Sequence, residues 1–175
     1  MLDVMTESAQ ADDKKNPRGD YELYCAAISS DPVATVLRFH LLTEYYLEQL
    51  IRTLLPRGDR IVESGNYSYA QKLGIVEATD KLDDGPISAL RNLNRLRNKC
   101  SHELNHVVNP SDLETIGSPL GTRWTTVKRE HVKTEVRMNY LFAVISAYLS
   151  VKLERAEDAL VAGFEQRQGP NRDDV

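Results

Sequence analysis

Apolar residues recur every three or four positions along much of this chain, which is the spacing of one face of an α-helix. In the first strong stretch, Asp31 suits a helix N-cap and Pro32 suits the first helical position. The Pro-Arg-Gly-Asp run at 56–59 ends the pattern. The sequence therefore predicts a helix over about 32–55, and a weaker pattern predicts a short helix before it, over about 21–28.

Three further helices follow from the same spacing. The pattern predicts helices over 67–78, from Pro86 to about 103, and over 129–164. The last of these is expected to bury one apolar stripe, formed by Val132, Val136, Tyr140, Ala143, Val144, Ala147, Tyr148 and Val151.

The stretch 104–126 is broken by proline and glycine and is predicted to be irregular. It is expected to contain a short helical turn at 111–115, and a short strand is the alternative at 123–127. The fold predicted from the whole pattern is all-α, an antiparallel helical bundle with an irregular segment before a long C-terminal helix.

The length of 175 residues fits one domain. Residues 1–18 and 167–175 are polar and lack periodicity, which predicts two flexible tails around a helical domain at 19–166. The two cysteines have no metal-site spacing, and no secretory signal or apolar run of about 18 residues is seen. We expect a cytoplasmic protein that does not span a membrane.

The net charge of −4 argues against broad, sequence-independent binding of nucleic acid. The window 87–104 differs from the rest of the chain, because it carries four cations and one anion, the cations being Arg91, Arg95, Arg97 and Lys99. A basic helix on an acidic protein suits either a small RNA site or an acidic protein partner. In the first case Arg91, Arg95 and Lys99 are the expected RNA-binding residues.

One cation interrupts the apolar face of this helix. At about 100° per residue, Arg97 falls between Leu90 and Leu93, whereas the other polar residues form a separate stripe. A guanidinium in that position needs a carboxylate or phosphate partner. Glu44 lies on the apolar stripe of the first helix and is expected to meet Arg97 or Asn98. Such a pair is either part of a site or only an internal pair that fixes the helix register.

The helix ends in chemistry suited to cleaving RNA. Metal-free cleavage needs a base for the 2′-hydroxyl, an acid for the leaving oxygen and a cation for the developing charge. In this hypothesis His102 transfers the protons, because histidine suits that role, Arg97 supplies the charge and Ser101 orients a phosphate. The alternative is that His102 is only a cap or a surface residue at the end of the helix. No metal-ligand spacing and no glycine-rich phosphate loop is present, so neither metal nor cofactor is expected.

The Arg-Asn-x-x-x-His spacing from Arg97 to His102 resembles the signature of the HEPN superfamily of all-helical domains. Residues 39–51 look like its first core helix, 69–73 resemble its intermediate helix, and 93–104 resemble its motif helix. The likeness includes HEPN proteins similar to mannitol operon repressors. It covers roughly residues 30–105.

The resemblance implies a homodimer, because RNases of this family pair their motif helices across a two-fold axis. It would place Arg97 and His102 in a composite cleft, with Asn98 as a polar supporter. Toxin members often act with an antitoxin, so RNA and an antitoxin or other protein are the expected partners. The resemblance also allows a non-catalytic regulator or immunity-type module that uses the same helices to bind a protein.

Overall fold

The computed structural model describes residues 17–167, with side chains from 21 to 166. These residues form eight α-helices and no strand, which confirms the all-α prediction. The helices are α1 Pro17–Ala27, α2 Pro32–Leu54, α3 Gly58–Glu63, α4 Tyr69–Glu77, α5 Asp84–His102, α6 Pro110–Gly117, α7 Thr122–Glu130 and α8 Thr134–Arg167. The predicted tails, 1–18 and 167–175, lie almost entirely outside the described residues.

Helix α2 is the centre of the bundle and packs against α8, α5 and α4. It starts as its sequence predicts, because the Asp31 side chain accepts a hydrogen bond from the Val33 amide at 2.9 Å. Phe39 of α2 stacks on Phe142 of α8, with ring centroids 4.0 Å apart. Each large apolar side chain buried in this way contributes about 1.5–3 kcal/mol. The packing of α5 on α2 fixes where the motif at the end of α5 stands.

Helix α3 was not predicted, because the turn signal at 56–59 indicated only an end to α2. The chain instead reverses tightly, and α3 begins at the buried Gly58. A Cβ atom at Gly58 would lie 1.9 Å from the backbone oxygen of Ile51, so only glycine allows this approach. The turn signal was correct, and the helix that follows it is too short to show a period.

The segment between α5 and α8 is more regular than predicted. It contains α6, a 3₁₀ turn at Ser118–Leu120, and α7. The short strand at 123–127 is wrong, because Trp124 and Val127 are both buried at helical spacing within α7. The Trp124 ring packs over Gly117, and its Nε1 donates to Glu114 Oε2 at 3.0 Å. Trp124 and Val127, which suggested a strand, are therefore core residues of α7.

Helix α8 starts at Thr134 rather than 129, after a break that follows α7. None of the residues predicted for its buried face is fully buried, and Val132, Tyr140 and Val151 are exposed by 83%, 50% and 43%. The side that packs on the bundle carries Met138, Leu141, Phe142, Ile145, Leu149 and Leu153. The helix is apolar on two sides, and the face predicted to be buried is the outer one.

Candidate functional site

Helix α5 presents the motif on its last two turns. Leu90, Leu93 and Leu96 are buried and hold the helix on the bundle, as their spacing predicts. The helix ends at His102, where the amide of Glu103 still bonds to the Lys99 carbonyl. The predicted outer stripe is also observed, since its four members are all exposed, namely Arg91, Arg95, Asn98 and His102.

Arg97 is partly buried and carries a charge that no carboxylate neutralises within residues 21–166. Its Nη1 donates to Asn98 Oδ1 at 3.3 Å, a contact between adjacent residues. The predicted pairing of Glu44 with Arg97 or Asn98 is therefore wrong. A partly desolvated guanidinium without an acidic partner is suited to an anion from outside the chain.

Glu44 is instead bound to a cation on another helix. Lys72 Nζ of α4 lies 2.8 Å from Glu44 Oε1 and 2.5 Å from Glu48 Oε1. Burial alone would lower the pKa of Lys72, but the hydrogen bonds to both carboxylates outweigh it and raise that pKa. This group joins α4 to α2, and it serves the fold rather than the motif.

No role for Lys72 was predicted from the sequence, although its place on an apolar helix face indicates one. Lys72 stands between Tyr69 and Val76 at helical spacing and beside Leu73, all of which are buried. A lysine on the apolar face of a short helix needs acidic partners. Glu44 and Glu48, one turn apart on α2, are the partners that this reasoning would have found.

His40 forms a buried polar contact between α2 and α5. Its side chain is only 4% exposed, and its Nε2 lies 2.9 Å from Asn94 Oδ1, an acceptor to which the ring donates. The ring packs on Tyr69, with centroids 4.1 Å apart. Burial lowers the pKa of His40, and the nearby charge of Arg97 lowers it further, against the Asn94 hydrogen bond and Glu44.

Tyr69 completes this buried polar group. Its hydroxyl lies 3.0 Å from Thr43 Oγ1, and burial raises the pKa of its phenol well above the usual range. His40 is therefore packed between the Asn94 amide and the Tyr69 phenol, and it is close enough to Arg97 for that charge to lower its pKa. Neither His40 nor Asn94 was assigned to the site from the sequence, although His40 stands one turn before Glu44 on α2.

His102 is exposed and makes no hydrogen bond or ion pair with any side chain that the structure describes. Ser101 is exposed, but its hydroxyl donates to the Arg97 carbonyl at 3.0 Å. Ser101 must give up this bond before it can donate to a phosphate.

The three cations expected to bind RNA differ in their present contacts. Arg91 is paired with Glu77, and Lys99 Nζ lies 3.8 Å from Asp112 Oδ1. Arg95 donates to the Asn92 amide oxygen at 2.9 Å and has no acidic partner within residues 21–166. Arg95 and Arg97 are therefore the least neutralised cations of α5.

Just beyond the motif, His106 is held between two acids. Its Nδ1 lies 3.3 Å from Glu103 Oε2 and its Nε2 3.3 Å from Asp112 Oδ2. Asp112 also caps α6 by accepting from the Asn109 amide. His106 thus lies between Glu103, just after α5, and Asp112 of α6, although its buried Nε2 makes no hydrogen bond to any described residue. This position is unlike that of the exposed His102.

Three comparisons with known proteins bear on this site. Searches against protein-family models, curated proteins and solved structures find no match. Within the described residues, no helix has the length and apolarity needed to cross a membrane, and no group of three or more histidine, cysteine or acidic side chains is placed to hold a metal ion. The geometry of α5 and its neighbours is therefore the basis on which a function is proposed.

Proposed function

We propose that this protein is a metal-independent endoribonuclease of the HEPN type, acting as a toxin or in defence, with Arg97 and His102 as its catalytic residues. The observation that supports this best is that both side chains lack an acidic partner within residues 21–166. Internal neutralisation of Arg97 by Glu44 was the main alternative, and Lys72 occupies Glu44 instead. A positive charge and a titratable ring are thus available at the end of one helix.

The helix geometry favours a cleft made from two chains. Five residues of α-helix advance by about 7.5 Å and turn by about 140°, so Arg97 and His102 of one chain leave α5 in different directions. Two copies of α5 meeting across a two-fold axis would supply two arginines and two histidines to one phosphate. The proposed active species is therefore a homodimer with the motif ends of α5 near its axis.

Each step of the proposed reaction uses one of these groups. One His102 takes the proton from the 2′-hydroxyl, whose oxygen attacks the adjacent phosphorus. The 5′-oxygen leaves with a proton from the other His102, and the product carries a 2′,3′-cyclic phosphate. Arg97 stabilises the extra negative charge on the phosphorus oxygens as the bond forms. Asn98 holds the guanidinium through their hydrogen bond.

Cations along the exposed side of α5 would hold the flanking phosphates. Arg95 is free to do so, whereas Arg91 and Lys99 must exchange Glu77 and Asp112 for phosphate. Arg95→Ala is therefore expected to weaken RNA binding more than Arg91→Ala. The small number of unpaired cations also fits a short binding site, in keeping with the net charge of −4.

The proposal is tested by cleavage of RNA by the purified protein in the presence of a chelator. Arg97→Ala should lower the rate by about 10²–10³, the usual loss when one stabilising donor is removed. Arg129→Ala, which removes an exposed cation of α7, is the matched control and should keep the wild-type rate. Circular dichroism should show that both variants are folded, because removing Arg97 strands no carboxylate. Equal rates for the two variants would refute the assignment of Arg97.

One observation favours a second candidate function, a non-catalytic regulator or immunity-type module that binds a protein. Leu104 and Val107 follow the motif directly and are 99% and 75% exposed. Apolar side chains beside an unpaired arginine resemble the centre of a protein interface. If the wild-type protein cuts no RNA, while Arg97→Ala and Leu104→Asp both abolish binding of the same protein partner, this second function replaces the first.

A further inference from the structure

The outer side of α8 carries an apolar stripe that the bundle leaves uncovered. Tyr140, Val144, Ala147 and Val151 follow one another at spacings of four, three and four residues, so they share one face. Tyr140 and Val151 are large exposed apolar side chains, Ala147 is exposed, and Val144 is partly buried. This spacing is that of the seam of a two-helix coiled coil.

The stripe forms one wall of a groove of about 820 Å³, and α7 forms the other. At the Tyr140 end, the ring of His131 stacks on Tyr140 with centroids 3.7 Å apart, and Glu130 is exposed beside it. A stacked pair of rings, His131 and Tyr140, thus lies at this end of the groove.

The opposite end of the groove is basic. Lys152 Nζ lies 3.3 Å from Asp83 Oδ1, so its charge is partly neutralised. Arg155 lines the same groove and has no acidic partner within residues 21–166. The groove therefore has an unpaired arginine at one end and, at the other, Glu130, whose Oε1 lies 3.5 Å from Arg129 Nη2.

We propose that this groove receives the α8 helix of a second copy of the chain, running antiparallel. In the register that centres the stripe on a two-fold axis, Tyr140 lies opposite the second copy's Val151, and Val144 opposite the second copy's Ala147. Each layer then pairs a larger side chain with a smaller one. The same register brings the second copy's Arg155 towards Glu130, which gives both ends an opposite charge.

Self-complementarity is the reason to prefer a second copy to another occupant. A two-fold contact requires that one surface match its own inverted copy. In this groove, larger side chains face smaller ones across the axis, and the arginine at one end faces the glutamate at the other. A uniformly acidic partner helix would leave Glu130 facing like charge, and a small anion would leave the apolar stripe uncovered.

The α8 contact uses none of the motif residues on α5, so it goes beyond the proposed function. Two different two-fold contacts close on four copies only if their axes cross at right angles, and the α8 contact alone gives two copies. Cross-linking through α8 tests only the α8 contact. A negative cross-linking result would leave the proposed RNA cleavage untouched, and a lack of RNA cleavage would leave the α8 contact untouched.

Disulfide trapping tests the arrangement directly. In a Cys25→Ser, Cys100→Ser background, Tyr140→Cys and Val151→Cys variants are oxidised separately and as a mixture. The mixture should give a cross-linked two-chain species, because these positions face each other in the antiparallel pair. Each variant alone should stay uncross-linked, since positions 140 and 151 are about 16 Å apart along the helix and a disulfide needs Cα atoms within about 7 Å.

The control mixture pairs Glu135→Cys, exposed on another side of α8, with Val151→Cys, and should not cross-link. Absence of a cross-link in the Tyr140→Cys and Val151→Cys mixture would overturn the proposal. Cross-linking of either variant with itself would also overturn it, because that result requires a parallel or unrelated contact.

Light scattering gives an independent readout. Ala147→Glu places like charges on both sides of the axis and should halve the mass of the assembly, while circular dichroism stays unchanged. Ala70→Glu, at an exposed alanine of α4, is the matched control and should keep the wild-type mass. A wild-type protein that has the mass of one 19.8 kDa chain at about 100 μM, or an Ala147→Glu variant that keeps the wild-type mass, contradicts the α8 contact.

Discussion

Charge pairing at single residues decides what the motif helix can do. The sequence placed a carboxylate, Glu44, and a guanidinium, Arg97, on apolar faces and predicted that they meet. The structure pairs Glu44 with Lys72, and Arg97 donates its side-chain hydrogen bond to Asn98. The structural ion pair and the candidate catalytic cation are therefore separate, and each can be tested without the other.

Lys72→Met should destabilise the protein by about 1–3 kcal/mol, because it leaves two neighbouring carboxylates without their cation. The expected loss is smaller than for a fully buried pair, since the side chains of Glu44 and Glu48 are 25% and 29% exposed. Urea unfolding measures it. A triple variant that also carries Glu44→Gln and Glu48→Gln should recover most of the stability. If Lys72→Met alone unfolds like the wild type, the Lys72 pairing does not matter to stability.

His40 predicts a pH dependence of stability with a definite sign. Its folded-state pKa is lowered from the ordinary value of 6.5, so the unfolded chain binds the proton more readily. The contribution of His40 to the free energy of unfolding should be complete above about pH 6.5 and should be lost as the pH falls below that value. The loss is at most about 1.4 kcal/mol per pH unit for one proton. His40→Gln should remove this part of the slope. A slope that is unchanged in His40→Gln would show that other groups cause it.

At the scale of elements, the helices with one clear apolar face were predictable. α2 and α5 have a cap or a proline at the start and one apolar stripe, and both stand within two residues of their predicted ends. The position of α8 along the chain was predicted, but the wrong face was expected to be buried. The helix is apolar on two sides, and periodicity cannot distinguish a core face from an exposed one. α6 was expected only as a short turn at 111–115, which lies within it, and α7 was hidden by the proline and glycine before it. The packing of Trp124 on Gly117 and its hydrogen bond to Glu114 join the two helices.

The turn between α2 and α3 gives a test at this scale. Gly58→Ala would place a Cβ atom against the backbone of Ile51, so it should destabilise the protein by about 1–3 kcal/mol or more. Gly74→Ala is the matched control, because that glycine lies inside α4 with open space around it, and the change should stabilise by about 0.5–1 kcal/mol. Thermal unfolding of both variants measures the contrast. Equal effects would mean that the close approach at Gly58 is not required.

For the whole molecule, the sequence could predict the bundle but not how its charges are shared. The place of Arg97 on the apolar side of α5 and the outer stripe that includes His102 were predicted from helical spacing. The contacts of Lys72, His40 and Asn94 depend on how α4, α2 and α5 cross, which no single helix pattern specifies. The exposed stripe of α8 likewise emerges only when the bundle shows which side of that helix it covers. The proposals therefore involve two distinct surfaces, a catalytic one on α5 and a subunit interface on α8.

The most direct measurement of the central claim is cleavage of one RNA by the wild-type protein and by His102→Ala, beside the same RNA with 2′-O-methyl groups. The account predicts chelator-resistant cleavage of the unmodified RNA by the wild type, products ending in a 2′,3′-cyclic phosphate, and a rate about 10²–10⁴ lower for His102→Ala. The 2′-O-methyl RNA should stay intact. Cleavage of that RNA, an undiminished rate for His102→Ala, or no cleavage of RNA by the wild type would contradict the account.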